Sequence, residues 1–137
     1  MKIVVCGTRQ FNNYDLLKSK LDEFTKDFID NDIEITIVHG AAPGADIMSE
    51  QYAKENGIKY KSIPADWNNL NHPDAYIKIN KQTGKKYDAK AGFRRNAKLL
   101  DLANMIIAFW DGKSPGTKHM IDESNKRNIP CFVIKYA

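Results

Sequence analysis

The stretch KIVVCGTR, residues 2–9, decides the fold. Its apolar, β-branched run from Ile3 to Cys6 stops at a glycine, which reads as a buried strand opening into a polar turn. The same unit recurs along the chain. ITIVH at 35–39 ends at Gly40, and NMIIAFW at 104–110, the most apolar run, ends just before Asp111 and Gly112. A weaker strand at 59–63 ends before Pro64, and CFVIKY at 131–136 supplies a fifth. Between the strands the apolar residues take helical spacing. Leu16, Leu17, Leu21, Phe24, Phe28 and Ile29 predict a helix from about 13 to 30, with Asn13 or Asp15 available as its cap. Ile47, Met48, Tyr52 and Ala53 predict another from about 45 to 56, closed by Gly57. Helices from about 92 to 102 and from about 116 to 127 complete the alternation.

Alternating strands and helices predict an α/β three-layer sandwich around a five-stranded parallel sheet, because a right-handed helical crossover is the economical link between parallel strands. The expected strand order is 3-2-1-4-5. That order puts the topological switch point between the first and fourth strands, where ligands bind in such sheets. The fourth strand would also separate Cys6 from Cys131, so both read as packed thiols and an internal disulfide is not expected. Neither cysteine has metal-ligand spacing to His39, His72 or His119, so no metal site is expected.

A chain of 137 residues with 42% hydrophobic and 28% charged residues is an ordinary single globular domain, expected here over 1–137. No apolar run approaches the ~20 residues that cross a bilayer, and the start turns polar at Gly7, too early for a signal-peptide core. A cytosolic protein with no membrane partner is the expectation; a homodimer is compatible with the sequence and not compelled by it. The net charge of +4 is small, but it is unevenly spread. Residues 68–98 hold eight basic and two acidic side chains, and the remainder is slightly acidic.

The glycines carry the main functional signal. Of eight, Gly7, Gly40, Gly44, Gly112 and Gly116 fall just past the ends of strands 1, 2 and 4, which line one rim of the sheet. Glycine lets backbone N–H groups approach a ligand where a Cβ would collide. Helices starting near Ala45 and Thr117 would aim their N-termini at the same crevice, where a phosphate fits. Neither GxGxxG nor GxxxxGKS/T is present, which argues against a dinucleotide dehydrogenase and a P-loop ATPase. No resident cofactor is implied.

CGTRQF at 6–11, HGAAPGAD at 39–46, PADW at 64–67, AGFRRN at 91–96 and AFWDGKSPGT at 108–117 occur in the order found in the YspA-like branch of the SLOG superfamily. The chain resembles that Rossmann-like group, which includes the Lonely Guy phosphoribohydrolases and the DNA-processing protein DprA. The resemblance implies a nucleotide or nucleotide-derived ligand, such as an ADP-ribose-like molecule or a nucleoside phosphate, held by a sensor or sequestering protein. An enzyme that cleaves a base from a ribose phosphate is the alternative it offers. By the same resemblance, Arg95 falls where those hydrolases carry their motif arginine, with Asn96 beside it. The loop from Asp111 to Thr117 resembles their phosphate-binding segment, which makes Ser114, Gly116 and Thr117 candidates for gripping phosphate. The hydrolases place a glutamate where this chain has Met120, and a thioether can neither stabilise an oxocarbenium-like centre nor activate water. Asp111 and Asp122 are the candidate substitutes, if the geometry allows.

The remaining candidates rest on position. Arg9 stands at the rim, where a guanidinium clamps phosphate or carboxylate with two hydrogen bonds, and Thr8 adds a hydroxyl. Asp46 lies in the first turn of its helix, either capping free N–H groups or binding a ribose hydroxyl. Trp67 either stacks on a base or plugs the sheet edge. Residues 68–90 form an insertion in which Tyr76, Ile77 and Ile79 alternate with polar residues before Thr83-Gly84, the pattern of a small hairpin. Its lysines and tyrosines suit closure over a polyphosphate or contact with a single-stranded nucleic acid, the third reading; a solvated loop is the bland one.

Overall fold

A computed structural model describes residues 1–136. In chain order it contains β1 (Lys2–Gly7), α1 (Tyr14–Asp30), β2 (Thr36–His39), α2 (Ala45–Glu55), β3 (Lys59–Ser62), β4 (Ile77–Ile79), β5 (Lys86–Asp88), α3 (Ala91–Leu102), β6 (Met105–Trp110), α4 (Pro115–Lys126) and β7 (Cys131–Lys135). Five strands form one sheet in the order β3-β2-β1-β6-β7, every pair parallel. Counting only the strands of that sheet, this is the expected 3-2-1-4-5 arrangement, a Rossmann-like three-layer fold.

The period of two along the strands sorts the core into two faces. Ile3, Val5, Ile37, Ile107 and Phe109 point to one side and pack with Leu17, Leu21, Tyr52 and Ala53 of α1 and α2. Val4, Cys6, Val38, Ile106 and Ala108 point to the other and pack with Leu99, Leu100 and Met120 of α3 and α4. β1 and β6 are buried on both faces, so their sequences are continuous apolar runs. Of the two candidate caps for α1, Asn13 is the one used: its side chain accepts from Leu16 N–H at 3.0 Å. Cys6 is buried, Cys131 is only half-buried on its edge strand, and both are free, with β6 between their strands. No helix among the described residues is long and apolar enough to cross a membrane.

The insertion is a hairpin. β4 and β5 pair antiparallel, with Ile77 opposite Asp88 and Ile79 opposite Lys86. Asn80 shapes the turn by accepting from Gln82 N–H and Thr83 N–H, and Gly84 takes the left-handed conformation at φ +70°. What fastens the hairpin to the domain is Asp88, which is fully buried. Its carboxylate accepts from the N–H groups of Tyr76 and Lys90, both at 3.0 Å, and pairs with the guanidinium of Arg94. Arg94 is committed to Asp88, because successive residues on a helix point about 100° apart and only one of Arg94 and Arg95 can face the rim.

The bond from Arg94 holds the Asp88 carboxyl down to about 2, against an ordinary 3.8. A depressed carboxylate contributes in full above its unfolded value and loses its contribution as pH falls through the folded one. The NMR signals of residues 76–90 should therefore keep their docked positions at about pH 4 and shift near pH 2. Asp88→Asn should loosen the hairpin at neutral pH, seen as faster amide exchange across 76–90 with the five-stranded sheet unchanged. Equal protection in the variant would show that another contact holds the hairpin.

Candidate functional site

At the C-terminal ends of β1 and β6 lies a cleft of about 520 Å³, within the ~300–1,000 Å³ usual for small-molecule sites. Its floor is apolar, formed by Cys6, Leu99 and Met120. Burial pushes the Cys6 thiol well up, so it stays protonated and inert. The walls come from the β1–α1 loop, the start of α3 and the β6–α4 loop.

Eight of the expected ligand-binding residues line this cleft: Gly7, Arg9, Asp46, Arg95, Asn96, Ser114, Gly116 and Thr117. Thr8, Gly40, Gly44 and Gly112 do not. Thr8 is buried and staples two loops: its Oγ1 accepts from Asp111 N–H at 3.2 Å and its own N–H donates to Phe109 O. The glycines are demanded by packing. A Cβ on Gly7 would come within 2.6 Å of Phe109 O, and one on Gly44, where φ is +88°, within 2.6 Å of Thr8 O. Gly112 is needed for its backbone, at φ +85°, since only the movable end of the Lys135 side chain lies near its Cβ position. Gly40 makes room for Arg95, whose guanidinium lies across it and donates to its carbonyl. Gly116 differs from all of these. A Cβ there would meet no protein atom within 4 Å, and its φ is not in the left-handed range.

The β2–α2 loop spends its backbone donors internally. Gly40 N–H and Ala42 N–H donate to Asp46 Oδ2 at 3.0 and 3.2 Å, and Ala41 N–H donates to His39 Nδ1 at 3.0 Å. His39 then holds its proton on Nε2 and donates it to Glu50 at 3.0 Å. Asp46 thus caps its own preceding loop rather than the first turn of α2. Burial raises its carboxyl, against the opposing pull of these N–H groups and Arg95. Asp111 is tied in a similar way. Its Oδ1 accepts from Lys113 N–H and Ser114 N–H, both at 2.8 Å, and the Ser114 bond is the main reason its carboxyl titrates low. Asp122 is outside the cleft, exposed and paired with Lys118 at 2.7 Å. Among the described residues no group of three or more His, Cys, Asp and Glu could hold a metal ion.

Donors facing the cleft remain unspent. The chain has four arginines; Arg94 pairs with Asp88 and Arg127 with Asp101, whereas Arg9 and Arg95 make no ion pair among the described residues. Both line the cleft. Arg95 is half-buried, and its Nε donates to Asn96 Oδ1 at 3.0 Å. Burial and the charge of Arg9 both disfavour its protonated form, with Asp46 acting the other way. Arg9 spreads over the Trp67 ring at 5.8 Å. α4 begins at Pro115 with Ser114 as an N-cap that makes no side-chain cap bond. Gly116 and Thr117 therefore present free N–H groups, as the first turn of any helix does. The hydroxyls of Ser114 and Thr117 have no protein partner among the described residues.

Sequence reasoning missed Lys113, Phe93 and Gln10, which also line the cleft, and the buried thiol at its floor. All three stand inside the quoted motifs, so adjacency was the available signal. Trp67 is half-buried with its ring against Gly92, where a Cβ would come within 2.8 Å, and edge-on to Tyr87 at 6.3 Å. It plugs the junction of hairpin and α3 and still lines the cleft.

Comparison with known proteins agrees with this architecture. The chain is 28% identical over 104 residues to the Gene 61 protein of Mycobacterium phage D29, covering 72% of this chain and 70% of the phage protein. Its fold superposes with a TM-score of 0.60 on DNA processing protein A from Helicobacter pylori, solved for its single-stranded DNA binding mode. That match is 19% identical, covers all of this chain and spans 66% of the other, and it shows a shared fold. A model of the YspA, cpYpsA-related SLOG family matches residues 1–70, from β1 to just past Trp67 and more than half of the chain. The chain belongs to that family.

Proposed function

We propose that the rim cleft binds the phosphate of a nucleotide or nucleotide-derived ligand, and that the protein acts by binding it. The observation that carries this reading is the pairing pattern of the arginines. A half-buried guanidinium beside a second cation, with no carboxylate bound to either, is costly unless an anion joins them. Arg95 and Arg9 supply charge-assisted donors, and the first turn of α4 adds free N–H groups where its dipole favours negative charge. Gly116 supports the same reading. Neither packing nor backbone angle requires glycine there, and the residue lines the cleft. The exposed ring of Phe93 and the half-buried Trp67 stand at the mouth as surfaces for a base.

Cleavage has less support. Asp46 and Asp111 are the two carboxylates that line the cleft, and each has one oxygen tied to backbone N–H groups of its own loop, Oδ2 in Asp46 and Oδ1 in Asp111. A general acid or nucleophile needs a carboxyl free to exchange a proton or attack.

Calorimetry against nucleoside monophosphates, diphosphates and ADP-ribose is the direct test. At least one should bind, and Arg9→Ala should weaken it about tenfold or more, the worth of one charge-assisted bond of ~1.5–3 kcal/mol. Binding indifferent to Arg9→Ala and Arg95→Lys would remove the rim as the site. Gly116→Ala should separate stability from binding. The ligand-free protein should hold its melting point or gain up to about 1 kcal/mol, as Ala replaces Gly in a helix, while nucleotide affinity falls. Unchanged affinity in that variant would show that the start of α4 does not meet the ligand.

A further inference from the structure

The cleft does not end at Trp67. A second concavity of about 1230 Å³ continues from it along the hairpin, and the two share Arg9, Trp67, Ala89 and Phe93. This groove is larger than the ~300–1,000 Å³ of small-molecule sites. Its lining contains no aspartate or glutamate. Lys90 is neutralised by Asp74 at 3.1 Å, but Lys78, Lys81 and Lys85 make no ion pair among the described residues. With Arg9 they give four uncompensated cations along one trough. Aromatic rings line the same trough: Tyr76 is 56% exposed, Phe93 48%, and Tyr87 is half-buried. One charge sign and aromatic rings coincide in a single trough, with the Lys78 ammonium over the Tyr76 ring at 5.4 Å.

We propose that this groove takes single-stranded nucleic acid, leading a strand away from the rim, where one of its phosphates occupies the nucleotide cleft. The inference rests on the rim reading given above. Lysines spaced along a hairpin track a phosphodiester backbone, and exposed rings stack on bases that a duplex would keep paired. The buried Asp88–Arg94 clasp makes the trough a fixed surface, so little ordering is needed when the strand arrives.

Fluorescence anisotropy with labelled oligo(dT) and oligo(U) tests the proposal, with a nucleoside monophosphate measured in parallel by calorimetry. The wild-type protein should bind either strand more tightly than the monophosphate. The affinity should fall with salt at a log–log slope of about −3, as expected for four phosphates on a single strand. The triple variant Lys78→Ala, Lys81→Ala, Lys85→Ala should lose strand affinity at least tenfold and make that slope shallower by about two, with its melting point and monophosphate affinity unchanged. Phe93→Ala should weaken the strand by about tenfold. The inference is overturned if the triple variant binds strands like the wild type, if oligonucleotides bind no better than the monophosphate, or if a duplex competes as well as a single strand. Each of those results leaves the rim reading intact so long as the monophosphate binds. Lysine-dependent strand binding with no monophosphate binding would do the reverse, removing the rim and keeping the groove.

Discussion

Arg95 lies half-buried with its guanidinium across Gly40, hydrogen-bonded to a carbonyl and to Asn96 and ion-paired to nothing among the described residues. Taking a charge out of water is expensive unless it is paired, and Arg9 in the same cleft adds repulsion. Much of the local structure serves to keep this cation in place. Gly40 clears the space it occupies, and Asn96 fixes its Nε while bridging to His119 at 3.2 Å. Asp46 lends a nearby negative charge while both its N–H partners lie in the loop that carries Gly40. The charge is thus held ready by backbone and amide groups, which position it without cancelling it.

The same economy explains the loops around it. Their polar groups are mostly spent on one another: Asp111 closes the β6–α4 turn, Thr8 ties that turn to β1, and His39 holds Ala41 in a left-handed conformation at φ 60°. Rigid loops leave few free donors, and those that remain converge on one side. They include the two arginines, the Lys113 ammonium, the first N–H groups of α4 and the hydroxyls of Ser114 and Thr117. A site preorganised this way loses little entropy on binding.

The fold was legible because period-two apolar runs alternating with helical ones are a local signal, and the parallel order follows from connection rules. The hairpin was legible for the same reason, through Tyr76, Ile77, Ile79 and Gly84. The rim was located through its glycines, yet the reason for most of them was not visible. Gly7, Gly40 and Gly44 are required by Phe109 O, Arg95 and Thr8 O, atoms far away in sequence or across a loop. Only Gly116 keeps the open space that the sequence argument assigned to the group. Arg94 and Arg95 look equivalent in a string of letters, and the helix sends one to Asp88 and the other to the cleft. Asp88 itself, an acid inside a basic insertion, gave no sign that it would be wholly buried and hold the insertion in place.

A crystal structure of the protein with a bound nucleoside monophosphate tests the central claim most directly. The phosphate should lie between the Arg95 guanidinium and the N–H groups of Gly116 and Thr117, within hydrogen-bonding distance of both, with Arg9 closing over it. A phosphate bound away from Arg95, or Arg95 drawn into an ion pair with Asp46 and leaving the ligand uncontacted, would contradict it.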